Sequence, residues 1–203
     1  MPTIFAQFFI IKTTLRRIEK RALLLDEHTV VILALYAAGG TIEGKTTLQK
    51  LCYFASIKSG LDFGYEPHFY GPYSKAISRA TDELIVSDFI LERGRITRYD
   101  RVIYTYSLTN DGINIARDLK KQKPELYSIL KEIFEICDKT VGNNIMILSW
   151  AAKIYYLLQK KGKLITYKEI KKIGKNLGWK LSEKEIDSGV KLLSALRLAK
   201  KED

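Results

Sequence analysis

One stretch breaks the helical spacing that runs through the rest of this chain, and it constrains the fold more than any other. In FILERGRITRYDRVIYTYSLTNDG, residues 89–112, apolar and polar residues alternate through Val102, Tyr104, Tyr106 and Leu108. Period two sends successive side chains to opposite faces of a strand. With turn chemistry between Gly94 and Arg101, the stretch predicts two antiparallel strands joined by a basic tip. Around it the spacing is helical, so the expected fold class is mainly α with a small β-hairpin.

The helices are bounded by their own punctuation. Asp26-Glu27 opens and Gly39 or Gly40 closes a helix from about Asp26 to Ala38. In TTLQKLCYFASIKSG, Thr46-x-x-Gln49 has capping-box spacing, Leu48, Leu51, Cys52 and Ala55 share a face, and Gly60 is the stop. Thr41-Ile42-Glu43 between them reads as a short strand. LDFGYEPHFYGPYS, with Gly64, Pro67, Gly71 and Pro72, is a structured connector. Ser74 then caps a third helix in which Ile77, Ala80 and Leu84, with Val86 a further candidate, face inward. Lys75, Ser78, Arg79 and Asp82 are expected to point elsewhere.

After the hairpin comes a long helical stretch, 113–141, that Pro124 should kink or divide. Gly142-Asn143-Asn144 is the candidate linker to a basic helical unit, 144–203, with capping boxes at Thr166-x-x-Glu169 and Ser182-x-x-Glu185. This last unit faintly repeats the helical grammar of the first half, as a second helix-turn-helix would. The expected organisation is an N-terminal extension (1–25), a first domain (26–112), a connecting helix (113–141) and the C-terminal unit.

Gly39 to Thr46 also satisfies G-x-x-x-x-G-K-[ST], the phosphate loop of nucleotide-binding proteins. Three features oppose that reading. The preceding residues have helical spacing and end in Ala37-Ala38; Glu43 inside the loop would repel phosphate; and no later apolar strand ends in an acid that would hold magnesium. A nucleotide binder at 39–46 is the remote alternative.

Thirty-four Lys plus Arg against 23 Asp plus Glu leave a formal charge of +11, an electrostatic footprint of nucleic-acid binding. From Lys153 onward the net charge is +8, on a Lys-rich face that in the bland reading is only solvated. Cys52 and Cys137 lie in apolar helical patterns, and His28 and His68 have no metal-ligand spacing. No catalytic constellation, cofactor site or metal site is expected, so the chain does not read as an enzyme. IFAQFFII near the start lacks a basic flank, a cleavage site and spanning length, so it is expected to pack on the core as an extra helix or strand. A cytoplasmic protein with no membrane partner is the expectation.

Helix, short strand, helix, connector, helix and hairpin is the order of a winged helix-turn-helix, in which the third helix enters the major groove and the hairpin wing meets the backbone or minor groove. Candidate DNA-contacting residues are Lys75, Ser78, Arg79 and Asp82 on that helix, and Arg93, Arg95, Arg98 and Arg101 around the wing turn. The bland alternative for the arginines is a solvated edge that resists aggregation.

TTLQKLCYFA followed by FYGPYSKAISRATDELIVSDFI resembles the signature of the YwgA-like winged-helix proteins of archaea and bacteria, and related LQKL…YGP sequences occur in Panacea-type antitoxin domains. YTYSLTNDG resembles the end of the wing in PadR- and MarR-type regulators. The resemblance covers about Val31 to Gly112 and implies a fold more than an activity. By similarity, Gln49, Lys50, Tyr70, Gly71, Pro72, Tyr73 and Ser74 occupy the signature positions. Read from the residues, Gln49 and Ser74 cap helices and Gly71-Pro72 shape a turn. Tyr65, Phe69, Tyr70 and Tyr73 either line the core under a loop or form a base-stacking or peptide-binding surface. The expected partner is double-stranded DNA, bound by a transcriptional regulator that pairs as a homodimer through 113–141. An antitoxin-like or adaptor module that holds a protein partner is the alternative.

Overall fold

The computed structural model describes residues 26–142, 144–162 and 165–199. The expected N-terminal element within 1–25 lies outside the described residues, as do position 143 of the linker and positions 163–164. Among the described residues the chain is mainly helical, with eight helices and a small antiparallel sheet.

Helix α1 (Asp26–Ala37) explains why the rest assembles around it. Its run from Val30 to Leu35 is buried on every side, as expected of a helix that is apolar all round. Strand β1 (Thr41–Glu43) follows, then α2 (Lys45–Ser59), which ends at Gly60 in the left-handed conformation. The connector contains two short strands, β2 (Tyr65–Glu66) and β3 (Tyr73–Ser74), which pair with each other. Helix α3 (Lys75–Val86) leads into the hairpin β4 (Ile90–Ile96) and β5 (Val102–Leu108). The sheet order is β1-β5-β4: Ile42 lies opposite Tyr106, and Arg95 opposite Ile103.

Pro124 divides the long helical stretch, as its missing N–H requires. Helix α4 (Asn110–Gln122) and α5 (Pro124–Val141) are separate elements. α5 lies against α1 and α2 with Leu126, Leu130, Ile133 and Cys137 buried, so its apolar stripe is spent inside this chain. The connecting stretch 113–141 is thus two helices, the second of them packed on the first domain.

Helices α6 (Ile145–Lys161), α7 (Tyr167–Asn176) and α8 (Glu183–Ala195) complete the chain. Capping boxes begin α7 at Thr166 with Glu169 and α8 at Ser182 with Glu185, as their spacing predicted. α8 packs closely along α6 because Gly189 has no side chain: a Cβ there would lie 2.6 Å from Ile154 Cδ1 and 3.0 Å from the Ala151 nitrogen. Tyr53 on α2 donates to Gln159 on α6 at 2.9 Å, and one continuous cluster of buried apolar side chains runs from α1 to α8. No helix among the described residues is long and apolar enough to cross a membrane.

Candidate functional site

Ser74 starts α3 by accepting the Ile77 N–H at 3.1 Å, which confirms the expected cap. From there a helix turns roughly 100° per residue. That rotation brings Lys75, Arg79, Asp82 and Val86 into one exposed stripe, flanked by Glu83. Ser78 does not belong to it. It falls at the margin of the arc occupied by Ile77, Thr81 and Leu84 and is 8% exposed, which corrects its assignment as an outward-facing reader. Val86, a candidate for the inner face, is 85% exposed at the last turn.

The stripe carries its own counter-charges. Arg79 Nε lies 3.7 Å from Glu83 Oε1, and the other oxygen of Glu83 meets His28 Nε2 at 2.7 Å. Lys75 Nζ is 4.0 Å from Glu66 Oε2. Such exposed pairs are worth little, a median of ~0–1 kcal/mol, so they leave both cations available to a stronger anion.

In the hairpin the two strand faces have different work. Ile90, Glu92, Gly94 and Ile96 on β4 share a face with Leu108, Tyr106, Tyr104 and Val102 on β5. Its inner end is buried, where Tyr106 donates to Glu92, and burial followed by that carboxylate holds the phenol above its usual range. Arg93 and Arg95 point to the opposite face, and Arg98 and Arg101 lie at the Thr97–Arg101 turn, closed by Thr97 N–H to the Arg101 carbonyl at 2.8 Å. All four are exposed, but they are not gathered around one turn as the sequence suggested. Strand alternation sets Arg93 and Arg95 along one face, and Arg95 reaches across β5 to Glu43 at 3.7 Å. Arg93, Arg98 and Arg101 make no ion pair among the described residues.

The signature residues turn out to hold the connector. Gln49 Oε1 accepts the Ser74 N–H and Gln49 Nε2 donates to the Ser74 carbonyl, each at 3.0 Å. This replaces the capping role expected for Gln49. The cap of α2 is Gly44, at φ 89°, with no side-chain hydrogen bond from Thr46. Lys50 Nζ donates to the Pro72 carbonyl at 2.7 Å and is 2% exposed. Burial first, and then the nearby Lys153, pull its amine down to about 7. Ser74 Oγ also donates to the Phe63 carbonyl, and Trp179 Nε1 reaches the His68 carbonyl at 2.7 Å from the C-terminal unit. Gly71 sits at φ +98° where a Cβ would press on Lys153, Ser149 and Lys50.

This clamp sorts the loop aromatics. Tyr65 packs edge-on to Tyr53 with its hydroxyl buried, whereas Phe69 and Tyr70 are exposed and meet edge to face with ring centroids 4.9 Å apart. The four aromatics are thus divided between core and surface. A buried lysine with a carbonyl partner is not legible in the helical spacing, because Lys50 falls about 200° from Leu48, opposite the Leu48, Leu51, Cys52 and Ala55 face.

The Gly-Lys-Thr segment follows a helix and a three-residue strand, without the long strand that feeds a phosphate loop. Cys52 and Cys137 are buried thiols, both pushed up to about 12 by burial. No group of three or more His, Cys, Asp or Glu side chains among the described residues is placed to hold a metal ion.

No family model matches the chain. It is 35% identical over 92 residues to the uncharacterized protein YwgA of Bacillus subtilis (strain 168), a match that covers 44% of this chain. The chain spans about half the length of that relative, 53%. The likeness establishes a YwgA-like relationship over part of the molecule.

Proposed function

We propose that this protein binds duplex DNA as a transcriptional regulator, through a winged helix-turn-helix formed by residues 26–112. The observation that carries the reading is the pairing of two surfaces. Helix α3 exposes Lys75, Arg79 and Asp82 in one stripe, and the hairpin beside it exposes Arg93, Arg95, Arg98 and Arg101. Support also comes from the strand order β1-β5-β4, which returns the hairpin to the short strand between the first two helices. In this reading α3 lies in the major groove, with Arg79 the base-reading candidate, while the wing arginines neutralise backbone phosphates.

The net charge of +11 supplies the long-range attraction, so affinity should fall steeply with salt. A band-shift series on random-sequence duplex DNA at several salt concentrations tests it. Binding with a steep log–log slope, weakened by Arg79→Ala and Arg98→Ala in folded protein, is expected. Absent or salt-independent binding would overturn the reading.

A further inference from the structure

The hairpin has a second surface, separate from its arginines. Ten large hydrophobic side chains are exposed among the described residues, and seven of them line a single open cleft of about 1160 Å³. Ile96, Tyr99, Val102 and Tyr104 come from the hairpin. Tyr70, Ile145 and Met146 form the opposite wall, where the connector meets the start of α6. An apolar concentration of this kind marks an interaction surface more often than chance exposure.

Among the described residues, the cleft also contains an unfinished sheet edge. β4 pairs with β5 from Val102 to Leu108, but β1 covers only Thr105 to Ser107, ending with Gly44 N–H to the Tyr104 carbonyl. Alternate residues of a strand direct their main-chain groups to the same side. Val102, two residues before Tyr104, therefore turns its N–H and C=O toward the open edge. An exposed edge flanked by Val102 and Tyr104 is a template for a further strand.

We infer that this edge takes an extended segment of another protein whose side chains alternate between apolar and acidic. The alternation follows from the two faces. One row of partner side chains would lie over Val102 and Tyr104, between the hairpin and Met146. The other row would lie on the Arg95 side of the sheet. Arg95 already spans β5 to meet the Glu43 carboxylate on β1, so an acid on a strand continuing β1 comes within the same reach. Lys45, Arg98 and Arg101 add positive charge around the cleft, against Glu43 as the one acid among the described lining residues. The same cations disfavour a second copy of this chain as the occupant.

The test uses the full chain and a fluorescein-labelled nonapeptide alternating valine with glutamate. Two control peptides accompany it, one with lysine for glutamate and one N-methylated at alternate main-chain nitrogens. Fluorescence anisotropy should show the acidic peptide binding at least tenfold more tightly than either control. Tyr104→Asp, checked for folding by circular dichroism, should weaken it at least tenfold. Hydrogen exchange should show peptide-dependent protection of the Val102 amide. Equal binding of all three peptides, or an unprotected Val102 amide, would overturn the inference. So would sedimentation showing a dimer that Tyr104→Asp dissociates, since a second copy would then own the edge. None of these readouts involves DNA, so the inference and the DNA-binding reading can fail separately.

Discussion

Gln49 grips both main-chain groups of Ser74, accepting its N–H and donating to its carbonyl at 3.0 Å, across 25 positions of sequence. The side-chain amide acts there as a one-residue strand. It fixes the residue that caps α3, so the orientation of the proposed reading helix is set from α2. Gln49→Ala should leave two buried polar groups unpaired and cost about 2–4 kcal/mol, read as a lowered urea midpoint.

Lys50 predicts a pH dependence with a definite sign. Its amine titrates at about 7 in the folded protein, against 10.5 ordinarily. Between these values the unfolded chain holds the proton that the folded chain has released. Stability therefore rises with pH across that window, by up to ~1.4 kcal/mol per unit. Above about pH 10 the ionisation of tyrosines such as Tyr53, held protonated by burial, reverses the trend. Lys50→Met lacks the rising slope, so its stability relative to the unsubstituted protein should decline from pH 7 to 9.5 in urea titrations.

The wing and Ser78 should separate cleanly in DNA binding. Arg98→Ala and Arg101→Ala each remove an exposed cation at the turn. Each should make the salt dependence shallower by roughly 0.9 if its guanidinium meets a phosphate. Ser78→Ala alters a buried position and should leave affinity within about twofold, an expectation set by burial alone.

Glu83 is predicted to restrain DNA binding. Its carboxylate holds Arg79 on one oxygen and His28 on the other. Glu83→Gln removes a negative charge beside the exposed stripe and loosens Arg79. Duplex binding at low salt should tighten several-fold, while thermal stability falls because His28 loses a charged partner at 2.7 Å. Unchanged or weaker binding in a folded variant would place α3 away from DNA.

The features that short-range chemistry decides were legible in the sequence. Ser74, Thr166 and Ser182 cap helices because a hydroxyl can reach an N–H three residues on, whatever surrounds it. Alternation from Val102 to Leu108 made a strand, and Pro124 divided a helix because it has no N–H to donate. Tertiary structure decided what those elements touch. Thr46-x-x-Gln49 has the spacing of a capping box, yet Gln49 turns to Ser74 because the connector folds back against α2 and offers a buried carbonyl and amide. Ser78 and Asp82 are both polar residues on the same helix, and only packing against α1 and the sheet buries one and exposes the other. The wing arginines fall within nine positions of sequence, from Arg93 to Arg101, but the strand and its turn divide them between a face and a tip. Among the described residues the edge at Val102 is left open because β1 stops after three residues while β4 and β5 continue, a mismatch that appears only when the three strands are laid side by side.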